Sequence, residues 1–386
     1  MLAPVVNRHG FASIVEALIC SFHDFQDEII HNYFRFNRIS YCSSGKQALY
    51  EILLFLKKRS NRNKVIVQSY TCYSVAKAIV ESGLDIHIID TDPSTLDFNY
   101  EQLANAIDKN TLCIIATHLF GTSANIGKIK SLINDDTIYL VEDSAQKQLS
   151  SYQESSLADV SIYSFGRGKP ISLMGGGIVA INSDELSINY KKHSSDMDVD
   201  ESVGISFAIK MFINDILTYP GIYGIPARLP FLGIGKTIYP NAIELGRLTK
   251  YQKCYLANKL LSLNADYFRR KNIAIEYTKA VTKNNIAGLA LYEQNIDYAP
   301  HRYPFYASKS IKNFTKDVIK KSKKYGIVSM YPAGIYKLHQ IMKLKPIVSG
   351  SRGAEYISNH LMTAPTHVYV NKKMLNKIIE IVRIFV

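Results

Sequence analysis

Cysteine is scarce in this chain of 386 residues, and the little there is forms no pattern. The five, Cys20, Cys42, Cys72, Cys113 and Cys254, are odd in number and scattered, with no Cys-x-x-Cys pair. That arrangement points away from zinc and toward free thiols in a reducing compartment. The ten histidines include no His-x-x-x-His pair backed by a nearby carboxylate, so no protein-bound metal is expected. Long apolar runs are missing too, so no segment is expected to span a bilayer. The stretch Phe11–Cys20 is too short for that and carries Glu16, which also makes a poor signal peptide; a cytoplasmic location is expected. Internal repeats, low-complexity tracts and module linkers are absent. Acidic residues are in short supply, 33 Asp and Glu against 46 Lys and Arg, a net charge of +13. Part of the surplus is local: Lys309, Lys312, Lys316, Lys320, Lys321, Lys323 and Lys324 crowd one segment. Such a run reads first as a solvated helix face and second as an attractor of an anionic partner.

What is present is an ordinary globular composition, 47% hydrophobic and 20% charged, in a chain long enough for a large α/β domain and a smaller one. Short apolar runs predict strands over Lys64–Gln68, Asp85–Ile89, Leu112–Thr117, Thr137–Glu142, Val160–Ser164 and Gly177–Ile181. Helical spacing separates several of them, over Ser74–Glu81 and Tyr100–Ile107. Another helix is predicted from Ser44 to Arg59, with Ser44 as N-cap and apolar Ala48, Leu49, Ile52, Leu53 and Leu56 on one face. This is the pattern of a doubly wound, mostly parallel sheet. Polar residues collect just past the carboxyl ends of its strands: Ser69 and Tyr70, His118, Asp143, and the loop Ser164–Lys169. In open α/β sheets that edge carries the ligand site.

Two of those groups suit one chemistry. Lys169 sits in a loop bounded by Gly166, Gly168 and Gly175–Gly177, and Asp143 ends the preceding strand. Pyridoxal phosphate (PLP) needs such a lysine amine, to condense with its aldehyde, and such an aspartate, to keep its ring nitrogen protonated. Gly45, at a helix start, opens backbone N–H groups to a phosphate.

Taken together, Glu142-Asp143-Ser144-Ala145-Gln146, Ser164-Phe165-Gly166-Arg167-Gly168-Lys169 and the glycines after it resemble the DegT/DnrJ/EryC1/StrS sugar aminotransferases. Ser43–Leu49, Val65–Thr71, Thr117–Gly121 and Ala364–His367 resemble further motifs of that family, from about Tyr41 to the C-terminus. The resemblance implies a PLP-dependent aminotransferase of fold type I: an α/β large domain with a mostly parallel sheet between helices, over 1–250, and a smaller C-terminal α+β domain, over 251–386. It implies Lys169 and Asp143 as catalytic residues. It implies Ser44, Gly45, Lys46, Tyr73, Ala145, Gln146 and Ser164 around the cofactor, with Ala145 against a ring face and Ser164 on the phosphate. Lys46 stands where the family has threonine, and Cys72 where it has its stacking aromatic, which moves that role to Tyr73. His118, Thr237 and Tyr239 are candidates near the substrate, the last two in a segment, Gly235–Tyr239, expected to reach a partner subunit's site.

The implied reaction takes the amine from an amino acid, glutamate in most members, to a keto sugar, nucleotide-linked in most, in surface-glycan or related biosynthesis. Dehydratase members of the family carry histidine in place of the lysine, so Lys169 speaks against that branch. A homodimer with shared sites is expected, and no nucleic acid. The stretch 186–240 departs from the family pattern. Within it Phe207–Leu217 reads as an unusually apolar helix beside a subunit interface, with a membrane-surface patch as the second reading. Two other function classes stay open: a PLP enzyme acting on a non-nucleotide keto acid or sugar, and a basic binding protein on the same fold. The latter predicts salt-sensitive binding to nucleic acid or anionic lipid and no chromophore.

Overall fold

The structure, a computed structural model, describes residues 1–23, 25, 27–121, 124–150, 156–194, 202–228, 239, 242–282 and 299–386, with 191–194 and 282 as backbone alone. The strands are Arg38–Cys42 (β1), Lys64–Gln68 (β2), Asp85–Ile89 (β3), Thr111–Thr117 (β4), Tyr139–Asp143 (β5), Val160–Ser164 (β6), Gly177–Ile181 (β7), Arg302–Tyr306 (β8), Ile347–Val348 (β9) and Leu361–Pro365 (β10). The helices used below are Phe11–Cys20 (α1), Gly45–Lys58 (α2), Tyr73–Ser82 (α3), Ile205–Leu217 (α4), Lys250–Leu260 (α5), Leu263–Thr282 (α6), Lys316–Lys324 (α7) and Lys372–Phe385 (α8).

Eight strands form one sheet in the order β1-β7-β6-β5-β4-β2-β3-β9. The β6-β5-β4-β2-β3-β9 stretch is parallel, and β7 runs antiparallel to both β6 and β1. Buried on both faces, the central strands need no alternation: every residue of β2, β4 and β7 is buried, and they read as continuous Val/Ile/Leu runs. Helix α2 covers one face with Ala48, Leu49, Ile52, Leu53 and Leu56 and leaves Lys57 and Lys58 outside. Its N-cap is Ser44, whose side chain accepts the N–H of Gln47. A smaller sheet, β8 with β10, packs with α6 and α8 around Tyr303, Phe305, Ile378, Ile381 and Phe385.

Three expectations are corrected. Cys20 and Cys254 are not free thiols: α1 lies along α5, brings their Cα atoms to 6.1 Å, and the two form a disulfide. Cys42, Cys72 and Cys113 are free. Helical spacing over Gly246–Lys271 predicts a single helix; it starts only at Lys250, where Thr249 and Gln252 form a capping box, and is broken after Leu260. The residues before it are held extended instead, Gly246 accepting from the Ser43 N–H and Glu244 from its hydroxyl. A short strand is expected from the sequence around Gly326–Met330; the structure has a single bridge there, Val328 to Thr363. The seven clustered lysines on and before α7 are all exposed. No helix among the described residues is long and apolar enough to cross a membrane.

Candidate functional site

The sheet register explains why distant polar residues converge. Thr117 pairs with Asp143, Asp143 with Ile162, and Ser164 with Gly177, so the carboxyl ends of β4, β5 and β6 share one edge. The start of α2 lies on that edge, where Ser44 bridges Gly176. The approach is so close that only glycine fits. A Cβ on Gly45 would lie 2.5 Å from Ser164 Cβ and 2.9 Å from its Oγ, and one on Gly177 would lie 2.6 Å from the Ser44 carbonyl carbon. The result is a cradle: free N–H groups at a helix start, with the Ser164 hydroxyl beside them.

Asp143 is buried on the same edge. Its carboxylate accepts the Ala145 N–H at 3.0 Å, the one hydrogen bond it has among the described residues. Burial pushes its carboxyl up, while Lys169 and the Ala145 N–H pull it back down. A buried carboxylate so poorly compensated calls for a cationic partner. The lysine loop that faces it is fixed from two remote segments. Asn7 Nδ2 donates to the Lys169 carbonyl at 2.6 Å, and His301 Nε2 donates to the Gly168 carbonyl at 2.7 Å. Burial, with Arg270 adding to it, drives His301 well below its usual range, so the ring is neutral and keeps its proton on Nε2.

A cavity of about 500 Å³ opens beside the lysine loop, lined by Lys169 and Gln146 and also by His301, Arg302 and Tyr331. Gln146 is held on both sides. Its Oε1 accepts the Phe120 N–H and its Nε2 donates to the Tyr331 hydroxyl at 3.0 Å. Tyr73 lies behind Tyr331, rings stacked at 6.0 Å, with its hydroxyl donating to the Ala333 carbonyl. Tyr331 and Tyr223, not Tyr73, are among the described residues that line the cavity, and sequence reasoning missed both.

His118 sits in a separate buried network. Its Nε2 donates to Glu142, whose other oxygen accepts from Ser161 at 2.7 Å, and its Nδ1 accepts the Ala124 N–H at 2.9 Å. Burial would raise the Glu142 carboxyl, but this partnership holds it far below the usual carboxylate range. With both ring nitrogens used, His118 braces the ends of β4 and β5. Lys46 stands at the cradle, yet its ammonium donates to the Ala242 carbonyl. Tyr239 packs near Lys77 of α3, 5.6 Å from its ammonium to the ring centre, and Thr237 lies outside the described residues. Asn7, His301 and Arg302 were also missed. The signal for the last two is a polar pair placed directly before the apolar run of β8.

The sequence profile of the DegT/DnrJ/EryC1/StrS aminotransferase family matches residues 24–221, just over half of the chain. The chain belongs to that family. It is 28% identical over 125 residues to a GDP-perosamine synthase of Vibrio cholerae, covering 32% of this chain and 34% of that one. The curated relatives it matches are spanned over about a third to two-fifths of their length. Whole-chain likeness comes from solved structures. The Helicobacter pylori aminotransferase PseC, involved in the biosynthesis of pseudoaminic acid, superposes with a TM-score of 0.70 at 17% identity, covering 100% of this chain and 98% of that one. An Escherichia coli GDP-4-keto-6-deoxy-D-mannose-3-dehydratase with bound hydrated PLP gives 0.72 at 14% identity, over 99% of both chains. An aminotransferase and a dehydratase share the fold equally, so the fold does not choose between them.

The residues at the edge fit PLP. The cradle has the donors for its phosphate, and Asp143, whose carboxyl burial raises despite Lys169, would gain a further cationic partner from a protonated ring nitrogen.

Proposed function

We propose that this protein is a PLP-dependent aminotransferase that moves an amino group from an amino acid, glutamate by family analogy, to a keto sugar carried on a nucleotide. The observation that carries the reading is the electrostatic pairing of Lys169 with buried Asp143 beside a glycine-lined cradle. When bound, PLP supplies an electron sink for the carbon that exchanges the amine. The chain's residues do the rest. The N–H groups of Gly45 and Lys46 and the hydroxyl of Ser164 hold the phosphate. The Asp143 carboxylate holds the proton on the ring nitrogen, and Ala145 leaves room for a ring face. With PLP bound, the Lys169 amine would be the group that accepts the proton of the substrate carbon and gives it up again as the amine is exchanged. A lysine at this position, rather than the histidine of the dehydratase branch, favours amine transfer.

The same reading makes the enzyme a homodimer. Ile205, Ile209, Phe212, Ile213 and Ile216 of α4 are exposed, and Ile213 and Leu217 border the cavity. A second copy would cover this face and close the site. We take 1–250 as the large domain, 251–386 as the small one, and the cytoplasm as the working compartment.

The test is amine transfer. Purified protein with PLP and glutamate is offered GDP- and UDP-linked 4-keto and 3-keto sugars, and the products are weighed by mass spectrometry. An aminated sugar and 2-oxoglutarate in equal amounts support the proposal. A dehydrated sugar without amine incorporation contradicts it.

A further inference from the structure

The cavity over Lys169 has an unusual charge balance. Among the described residues, four cationic side chains line it, Arg167, Lys169, Lys210 and Arg302, and no Asp or Glu does. Arg167 and Lys210 are exposed, and the Lys210 ammonium lies over the Phe207 ring. Arg302 is different. It opens β8, it is not exposed, and its Nε is buried without a hydrogen-bond partner. Its Nη1 donates to the Met330 sulfur, a weak acceptor. Other buried arginines have carboxylates: Arg270 has Asp266 at 2.7 Å, and Arg247 has Glu51 at 3.0 Å. Arg302 forms no ion pair with any described residue. Burial pulls its guanidinium down only to about 10, so it stays charged at neutral pH.

A half-buried guanidinium whose Nε is buried without a partner is costly unless an occupant supplies the anion. The planar edge of a guanidinium suits the two oxygens of a carboxylate. We infer that Arg302 is a specificity-determining residue that binds a substrate carboxylate in this cavity, from an amino-acid donor or from an acidic sugar. This rests on the aminotransferase reading for the identity of those substrates. Lys169 is committed to proton movement there, which leaves Arg302 as the one enclosed cation among the described lining residues available for the carboxylate.

The experiment uses PLP-loaded wild type, Arg302→Met and Arg302→Lys. Binding of glutarate, glucuronate and inorganic phosphate is measured by calorimetry, and PLP affinity by absorbance titration. A lost charge-assisted pair of hydrogen bonds weakens binding on the order of tenfold to a hundredfold. Arg302→Met should lose that factor for a carboxylate probe with PLP affinity unchanged, and Arg302→Lys should lose less. Loss for glutarate alone assigns the donor, and the KM for glutamate should then rise more than kcat falls. Loss for glucuronate alone assigns an acidic sugar. Equal carboxylate binding in wild type and Arg302→Met overturns the inference, as does dependence on Arg302 for phosphate only. Failure of PLP to bind at all would instead count against the aminotransferase reading, while the glutarate titration still decides the role of Arg302.

Discussion

Adding one methyl group at Gly45 should disable the phosphate cradle. In Gly45→Ala the new Cβ would meet Ser164 Cβ at 2.5 Å, Oγ at 2.9 Å and Cα at 3.2 Å. Carbon atoms pack best at about 3.5–4.0 Å, so the helix start and the end of β6 must separate by about 1 Å. Neither side gives easily. Ser164 is in register with Gly177, and Gly177 itself lies against the Ser44 backbone. Overpacking of this kind costs about 1–3 kcal/mol, and the better helix propensity of alanine returns at most about 1 kcal/mol. The functional cost is larger. Hydrogen bonds span only about 2.7–3.2 Å, so a shift near 1 Å takes either the helix N–H groups or the Ser164 hydroxyl out of reach of one phosphate. Loss of one charge-assisted bond, about 1.5–3 kcal/mol, predicts a roughly tenfold to hundredfold weaker PLP affinity. Titration of the apoprotein with PLP, followed by absorbance, reads this directly, with thermal unfolding alongside. Wild-type PLP affinity in Gly45→Ala would refute the cradle.

Asp143→Asn should keep PLP and lose on the order of a hundredfold in turnover, because an amide does not hold a proton on the ring nitrogen; near-normal single-turnover rates would assign that task elsewhere. Glu142→Ala should destabilise the fold by about 3–5 kcal/mol in urea unfolding, since it strands His118 and Ser161 in a buried network; a change within error would mean the network is dispensable. Burial pushes His367 down to about 3, so it stays neutral in the fold while the unfolded chain takes up a proton below about 6.5. Its stabilisation is complete above pH 6.5 and is lost as pH falls toward 3, roughly 2 kcal/mol by pH 5, and His301 acts in the same direction. The urea midpoint should therefore drop between pH 7.5 and pH 5, and drop less in His367→Gln; equal slopes would contradict this. Reductant should lower the thermal stability of the oxidised protein and leave Cys20→Ser unaffected, with a chain-entropy ceiling on the order of 5 kcal/mol for a separation of 234 residues; peptide mapping that finds Cys20 alkylated in unreduced protein would exclude the bridge.

Much of the large sheet was legible because its strands are short, apolar and buried on both faces. β2, β3, β6 and β7 coincide with their sequence readings to the residue. β1 escaped notice because Arg38-Ile39-Ser40-Tyr41-Cys42 has no such run; it owes its existence to pairing along β7. The lysine, the aspartate and the helix start announced themselves by local motifs. Their supports did not. Asn7 and His301 act on the lysine loop across 162 and 133 residues of sequence, and only the packing of the N-terminal segment and β8 brings them there. Tyr331 lines the cavity for a similar reason. Tyr73 follows the motif, but its hydroxyl is drawn to the Ala333 carbonyl, and Tyr331 fills the space in front. His118, expected near the substrate by position, pairs with Glu142, a partner on the next strand that linear spacing does not reveal. The disulfide was hidden in the same way, since no spacing rule links α1 to α5.

Lys169 as the cofactor lysine is open to a direct check: absorbance of the PLP-loaded protein before and after glutamate, followed by borohydride reduction and peptide mapping. A visible band should shift when glutamate alone is added, and the sample without glutamate should carry a reduced cofactor adduct on Lys169. A protein that takes up no PLP, or an adduct on any other lysine, would contradict it.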